Sequence, residues 1–389
     1  MKKIVLVGVI LFILIGIGVI GYFIYDDYKL KEDNTKYTVI TNKIEVYEKH
    51  KLSELIKIEN GRLDKDIEIE ENELKKKDVE FYYTYKKRPR KGKISIEVVD
   101  TTKPIAILNT SFSINPGDDP LKKIVTGDNY DNDPKKEIIG NYDINTLGSY
   151  EVTYKVTDSS NNTIEIPFTL KVIPKSTSYA NTKTLYTDVI SNYKTDKTKI
   201  GIDVSKWQGN IDFQKIKDAG VEFIYIRVGT QEGFGKGSVQ DQYFLNNIKK
   251  ANEYGIDAGI YYYSYATTKE EAKEQALWVI DQIKDYEVKL PVAFDWESFS
   301  KFNELKISIR DFNEVAESFL KTLEDNNYEG SLYGSKNYLE KIWKTSRKVW
   351  LAHYTKQTTY EGDYYLWQLC NDGKVSGINA YVDIDILYK

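Results

Sequence analysis

From Lys199 onward the chain alternates short apolar runs with helical segments, and this alternation restricts the fold more than any other feature. Runs such as "VEFIYIRVG" and "LPVAF" are rich in the β-branched and aromatic residues of buried strands, and amphipathic segments separate them. Four strand–helix units in a row predict parallel strands in one sheet. Because four further strands follow with shorter connections, the pattern favours an irregular (β/α) TIM-like barrel over residues 199–389, with an open doubly wound sheet as the alternative.

Polar residues stand where these predicted strands end, which is where a (β/α) barrel carries its active site. Asp295 and Glu297 of "FDWE" are two residues apart on the fourth strand. Both side chains should therefore point into the barrel mouth, with Cα atoms about 6.6 Å apart, while Trp296 faces the outer layer. The corresponding residues on strands one, two and eight are Asp203, Arg227 and Asp383.

Two carboxyl groups in one partly apolar site cannot both ionise easily, so one keeps its proton near neutral pH. Cleavage of a glycosidic bond needs such a pair, because an acid must protonate the leaving oxygen while a second group stabilises the oxocarbenium-like centre. The alternative is structural: the two residues cap a helix or pair with lysines. The motif alone does not separate these interpretations, since structural pairs also have perturbed pKa values.

Five motifs of this region occur together in one order: "GIDVSKWQGNIDFQKIKDAGVEFIYIRVG", "GIYYYSYA", "PVAFDWES", "VWLAHY" and "LWQLCNDGKVSGINAYVDID". In this combination residues 199–389 resemble the family-25 glycoside hydrolases, the Chalaropsis-type lysozymes. The resemblance implies an irregular β/α barrel without metal or cofactor. It also implies N-acetylmuramidase activity, the hydrolysis of the β-1,4 bond between N-acetylmuramic acid and N-acetylglucosamine in peptidoglycan.

The same resemblance implies a role for each matching residue. Glu297 would be the general acid and then the base, and Asp295 would stabilise the developing charge or orient the acetamide group of the substrate. Asp203 and Asp383 would tune this pair and hold sugar hydroxyls. The residues expected to bind substrate are Tyr263, Tyr265, Trp350, Tyr354, Trp367, Gln368 and Arg227.

An uncharged run of 22 residues covers positions 4–25 near the start of the chain. As a helix it is about 33 Å long, enough to cross a bilayer. Two lysines precede the run and two aspartates follow it, which predicts a cytoplasmic end at 1–3, a transmembrane signal anchor, and a carboxyl-terminal part outside the cell membrane facing the wall. A cleaved signal peptide is the alternative, although its apolar region is normally only about 7 to 15 residues.

Residues 37–100 and 104–174 have the pattern of two copies of one β-rich unit. "LSELIKI" aligns with "LKKIVTG", and "FYYTYK" aligns with "YEVTYK", both at an offset of 69 residues. The second copy resembles the immunoglobulin-like repeats of bacterial surface proteins, so we expect two immunoglobulin-like β-sandwiches in series. Residues 175–198 are polar and without period, which predicts a linker.

Composition argues against several kinds of protein. A net charge of -4 lacks the basic field that holds nucleic acid, while one cysteine and two histidines leave no disulfide framework or His/Cys zinc cluster. The expected partners are peptidoglycan strands, the lipid bilayer through residues 4–25, and cell-envelope proteins through the sandwiches. The preferred hypothesis is a membrane-anchored peptidoglycan hydrolase for local wall remodelling, such as making room for a secretion or conjugation apparatus. The alternative is a non-catalytic surface protein that binds glycan or mediates adhesion.

Overall fold

The computed structural model describes residues 14–25, 36–175 and 183–389. The chain divides into two compact units, of which the first ends at Thr101 and the second covers Thr102–Lys389. The first unit contains one β region, and the second contains another β region together with a barrel.

The segment at the start of the chain is helical at residues 14–25, whereas residues 1–13 of the predicted cytoplasmic end and anchor lie outside the described residues. Among the residues that the structure describes, no helix is long and apolar enough to cross a membrane. On this finding the transmembrane part of the predicted fold class was wrong.

The first β region, residues 36–101, is built on a long hairpin of Lys76–Tyr85 and Arg88–Val99. Lys43–Glu45 pairs parallel with the second hairpin strand, and Gly61–Leu63 pairs antiparallel with the first. The smaller elements are the helix Leu52–Leu55 and the antiparallel pairs Tyr37–Val39 with Ile56–Ile58 and His50–Lys51 with Glu68–Ile69.

The second β region, residues 104–174, has the same strand order. Its hairpin of Gly148–Thr157 and Thr163–Val172 is flanked by parallel Ser111–Ile114 and antiparallel Lys135–Ile139. Its smaller elements are the helix Pro120–Lys123 and the antiparallel pair Ile105–Ala106 with Thr126–Gly127. Both regions are thus small all-β units, and their immunoglobulin-like identity stays a prediction.

An eight-stranded barrel follows the second β region. Its strands are β1 Thr198–Val204, β2 Phe223–Gln231, β3 Asp257–Tyr263, β4 Val292–Asp295, β5 Gly330–Ser335, β6 Lys348–Ala352, β7 Leu366–Lys374 and β8 Val382–Tyr388. Strands β1 to β7 run parallel to one another in this order. Strand β8 is antiparallel to both β7 and β1 and closes the barrel between them. A short strand, Ser238–Gln240, adds to the end of β2.

The helices of the barrel cover its outer face between β1 and β6. They are α1 Phe213–Asp218, α2 Phe244–Tyr254, α3 Lys269–Ile283, α4 Ile309–Asp325 and α5 Lys336–Lys341, with shorter turns at Lys206–Gln208, Phe299–Lys301 and Phe302–Leu305. No helix lies in the described chain between β6 and β8. A TIM-type barrel has eight parallel strands, each followed by a helix. That part of the predicted fold class was therefore wrong, because the last strand is reversed and the last two connections contain no helix.

The predicted linker, residues 175–198, is partly folded onto the barrel. Thr184–Leu185 pairs with β7, and the helix Tyr186–Tyr193 follows it. Tyr186 and Val189 of this helix are each 2% exposed, and the Tyr186 hydroxyl donates a hydrogen bond to the Ile200 carbonyl at 2.9 Å. Two apolar residues at helical spacing therefore pack this segment onto the barrel, although its polar composition predicted a linker. Residues 176–182 of the predicted linker lie outside the described residues.

Candidate active site

The carboxyl ends of β1 to β7 meet at one end of the barrel, which we call the mouth. Because β8 is antiparallel, its first residues also lie there, and Asp383 pairs with Asp203 of β1. At the end of β4, Asp295 is in register with Tyr263 of β3 and Tyr333 of β5. Glu297 follows Asp295 by two residues, so all four predicted acids are brought together at the mouth.

Asp295 and Glu297 form a pair of neighbouring carboxyl groups, each of which affects the pKa of the other. Asp295 is 3% exposed, whereas Glu297 is exposed where the mouth opens. Loss of hydration raises the pKa of both groups. The nearby Glu297 raises the pKa of Asp295 further and Arg227 lowers it, whereas the contact with Asp295 lowers the pKa of Glu297. Such a pair shares a proton and keeps it to a higher pH than an isolated carboxyl group.

Asp203 is held by an amide that also contacts the cleft. Gln368 donates from Nε2 to Asp203 Oδ2 at 2.8 Å, and its Oε1 accepts from the hydroxyls of Tyr333 and Tyr354 at 2.9 and 3.0 Å. These three bonds fix the orientation of the Gln368 amide, because only its NH₂ group can donate. Burial, followed by the neighbouring Asp385, raises the pKa of Asp203 well above its usual value.

Strand β8 contributes two acids to the interior. Burial and the neighbouring Asp203 and Glu297 raise the pKa of Asp383 to about 9. Asp385 lies two residues deeper and is 0% exposed, with Oδ1 accepting a hydrogen bond from Trp350 Nε1 at 2.9 Å. Burial and Asp383 raise its pKa as well. The sequence hypothesis assigned no role to Asp385, although alternation along a strand places it on the same face as Asp383.

Arg227 lies in a buried ion pair rather than in the open cleft. Its Nε and Nη2 donate to Asp241 Oδ2 at 2.9 and 2.7 Å, and Arg227 is 9% exposed. Asp241 also accepts from the backbone N–H groups of Lys206 and Tyr243. A contact between Arg227 and substrate was predicted, but the guanidinium acts on the site through its charge. This charge lowers the pKa of Asp295, which burial, Glu297 and Asp203 raise.

A cleft of about 400 Å³ opens beside Glu297. The side chains around it include Phe299, Tyr333, Tyr338, His353 and Tyr354. Tyr263 and Tyr265 are half-buried, with ring centroids 5.3 Å apart. Burial raises the pKa of Tyr263, and the nearby Glu297 and Asp295 raise it further. Aromatic faces that carry hydroxyl groups suit the faces and hydroxyls of sugar rings. Neither Tyr333 nor Tyr338 was predicted as a substrate-binding residue. Tyr333 could have been found from its position near the end of β5, whereas Tyr338 lies on α5, where no sequence motif indicated a site.

The structure places neither Trp350 nor Trp367 on the surface of the cleft, where substrate contact was expected. Trp350 is 1% exposed inside the barrel, where it bonds Asp385. Trp367 is 3% exposed and packs in the outer layer, with Nε1 donating to the His353 carbonyl at 2.9 Å. Burial leaves both rings without a free face for a sugar. Trp296 is fully buried and donates to the Ala266 carbonyl at 3.1 Å, on the outward side that strand alternation predicts.

Chemically, the mouth combines an exposed carboxyl, a proton shared with a buried neighbour, and an aromatic cleft large enough for sugar rings. The exposed group can deliver a proton to a bound oxygen atom and later recover one from water. Arg227 acts on Asp295 through its charge, while Asp203 and Asp385 accept hydrogen bonds from the neutral side chains of Gln368 and Trp350. Since the acids also raise one another's pKa, this arrangement favours proton retention over ion pairing.

Comparison with known proteins identifies this region. Residues 202–378 match the sequence model described as Glycosyl hydrolases family 25. The uncharacterized protein YegX of Escherichia coli (strain K12) is 26% identical over 201 residues, which cover 48% of this chain and 68% of that protein. The autolytic lysozyme of Clostridium acetobutylicum is 24% identical over 48% of this chain and 54% of its own length. Residues 202–378 of this chain are therefore similar to the glycoside hydrolases of family 25.

Solved structures are also similar to this chain. The modular autolysin LytC from Streptococcus pneumoniae is 22% identical with a TM-score of 0.45, over 61% of this chain and 56% of that one. A family 25 glycosyl hydrolase from Bacillus anthracis is 22% identical with a TM-score of 0.44, over 51% of this chain and 93% of that one. The chain thus spans little more than half of the autolytic lysozyme and of LytC.

Proposed function

We propose, from the similarity of residues 202–378 to the glycoside hydrolases of family 25, that the protein is an N-acetylmuramidase. It cleaves the β-1,4 bond between N-acetylmuramic acid and N-acetylglucosamine in peptidoglycan. The observation that supports this most directly is the pair of neighbouring carboxyl groups of Asp295 and Glu297 at the edge of an aromatic cleft. The name of one similar relative, autolytic lysozyme, agrees with a wall glycan as substrate.

In the proposed reaction, Glu297 gives its proton to the glycosidic oxygen while the bond from that oxygen to the sugar carbon breaks. Asp295 stabilises the positive charge that develops on the sugar ring, either directly or by orienting the acetamide carbonyl of the substrate towards it. A water molecule then attacks the same carbon, and Glu297 takes up its proton. The raised pKa of the pair keeps the acid in its protonated form at the start of this cycle.

The test is the release of reducing ends from purified peptidoglycan by the full chain and by Glu297→Gln. We expect release by the wild type and a loss of at least about a thousandfold in the variant, because Gln cannot transfer the proton. The matched control is Glu253→Gln, which changes an exposed glutamate that pairs with Lys250 on α2. Equal release by wild type and Glu297→Gln would contradict the assignment of the acid. Binding without release by either protein would favour the alternative, a non-catalytic glycan-binding or adhesion protein.

The biological purpose is part of the proposal. A muramidase that carries additional β regions suits local remodelling of the wall, for example to make room for a secretion or conjugation apparatus, and the β regions are candidate surfaces for cell-envelope proteins. The substrate also implies a location outside the cytoplasm, on the side of the cell membrane that faces the wall. Accessibility of the domain to protease added to intact cells, after partial removal of the wall, tests this location.

A further inference from the structure

The loop that follows Glu297 is bound by the second β region. This loop, residues 299–309, connects β4 to α4 and is called the β4–α4 loop below. Its Asn303 accepts a hydrogen bond from the Thr126 backbone N–H at 3.0 Å and donates one to the Ile124 carbonyl at 2.8 Å. At the end of the loop, the Ile309 N–H donates to the Asp128 carbonyl at 2.7 Å. The second β region therefore holds the loop by backbone groups at two places.

Packing at this contact is close. A Cβ atom added at Gly127 would lie 2.9 Å from Ile309 Cγ1 and 3.1 Å from Phe302 Cε1, so any larger residue has to displace the loop. Phe302 and Ile309 are 2% and 5% exposed, and Val125 belongs to the same buried apolar cluster as the outer layer of the barrel. The contact is thus continuous with the core of the domain.

The β4–α4 loop also packs against the residue between the two catalytic acids. Phe302 lies 5.1 Å from Phe312, and Phe312 lies 4.7 Å from Trp296 between ring centroids. Phe299 contacts Trp296 at 5.0 Å and stacks on Tyr338 of the cleft at 3.5 Å. Because Asp295 and Glu297 flank Trp296 in the chain, the position of the indole fixes the directions of both carboxyl groups.

We propose that the second β region is a structural part of the active site, and that Asn303 is a positioning residue that couples this region to the Asp295–Glu297 pair. The inference rests on the proposed muramidase function and extends it beyond the barrel. Protein interiors are densely packed, so a shift of the loop is transmitted through Phe302 and Phe312 to Trp296. A small displacement of a general acid slows the chemical step strongly, while Tyr333, His353 and Tyr354, which line the cleft outside the loop, keep most of the sugar binding.

The test compares Asn303→Ala with Asn252→Ala in the full chain. Asn252 is a matched control, because its side chain also accepts from and donates to backbone groups, here the Glu287 N–H at 3.1 Å and the Glu287 carbonyl at 2.9 Å. It lies at the end of α2, near the strand starts opposite the mouth. Asn252→Ala loses two hydrogen bonds, and Asn303→Ala loses two similar ones and a longer one to the Leu121 carbonyl at 3.4 Å, so the two variants should lose similar stability. Only Asn303→Ala should lower kcat, by about tenfold, with KM within about twofold of the wild type.

A second variant, Gly127→Ala, perturbs the loop from the β region without removing a hydrogen bond. It should also lower kcat, whereas Gly92→Ala, which creates an even closer clash with Phe81 in the first β region, should not. If Asn303→Ala does not fold, the Gly127→Ala and Gly92→Ala pair decides the question. If the wild type is active and both Asn303→Ala and Gly127→Ala keep its kcat, the positioning role of the loop is wrong, but the proposed function is not affected. A wild type that releases no reducing ends overturns the proposed function, and the inference with it.

Discussion

Replacing Asp383 by Asn should remove a large part of the pH dependence of the stability of the barrel. The pKa of Asp383 is about 9 in the folded protein, because burial and neighbouring acids oppose its ionisation, against an ordinary value of 3.8. A group with a raised folded pKa contributes its full stabilisation below the unfolded pKa. This contribution is lost as the pH rises through the folded pKa.

The size of the effect follows from the two pKa values. Between pH 5 and 8 the folded domain keeps a proton that the unfolded chain has released, which gives a slope of about 1.4 kcal/mol per pH unit. Over this interval the contribution of Asp383 falls by at most about 4 kcal/mol. Asn has almost the same shape and does not titrate, so the variant lacks this slope. Without Asp383, the pKa of Asp385 should also fall, which reduces the slope further.

Tryptophan fluorescence reports on the barrel alone, since all six tryptophans lie between residues 207 and 367. Urea unfolding at pH 5, 6, 7 and 8 should show that the free energy of unfolding falls less with pH in Asp383→Asn than in the wild type. Asp285→Asn, at an exposed aspartate, is the control and should follow the wild type. Parallel pH dependences for the wild type and Asp383→Asn would refute the reasoning.

Two further predictions follow from the same site. The kcat/KM on peptidoglycan should fall as the pH rises through the raised pKa of the Asp295–Glu297 pair, because Glu297 must carry a proton; a constant value from pH 4 to 10 would contradict this. Arg227→Met should lower the free energy of unfolding by about 3 to 5 kcal/mol, since it leaves Asp241 buried without its cation. The double variant Arg227→Met/Asp241→Asn should recover most of this loss in the same fluorescence assay.

Local periodicity was enough to find the strands and the acid pair. Side chains two apart on a strand share a face, so "FDWE" predicted both the convergence of Asp295 and Glu297 and the outward direction of Trp296. The same rule, applied to "LWQLC", places Trp367 opposite Gln368, and the structure has Gln368 inside and Trp367 outside. The hypothesis that both line the cleft was inconsistent with strand alternation.

Long-range features were harder to predict because no local pattern encodes them. The connection between β7 and β8, residues 375–381, is too short for a parallel crossover. Its length could therefore have predicted that β8 is antiparallel, but the sequence analysis did not use it. The contact between Asn303 and residues 124–126 joins segments that are distant in the chain, and neither segment has a motif that marks the other. Burial of Tyr186 within a polar stretch was hidden for the same reason.

The reversed last strand has a consequence for how the domain is made. Until residues 382–388 have been synthesised, β1 and β7 each present an edge whose backbone groups lack the partner that β8 supplies. Open edges of this kind can pair with other chains. The acid cluster is also incomplete at that stage, because Asp383 and Asp385 arrive with the same strand. A nascent domain therefore exposes two strand edges and lacks two of its buried acids, and the docking of one strand ends both conditions.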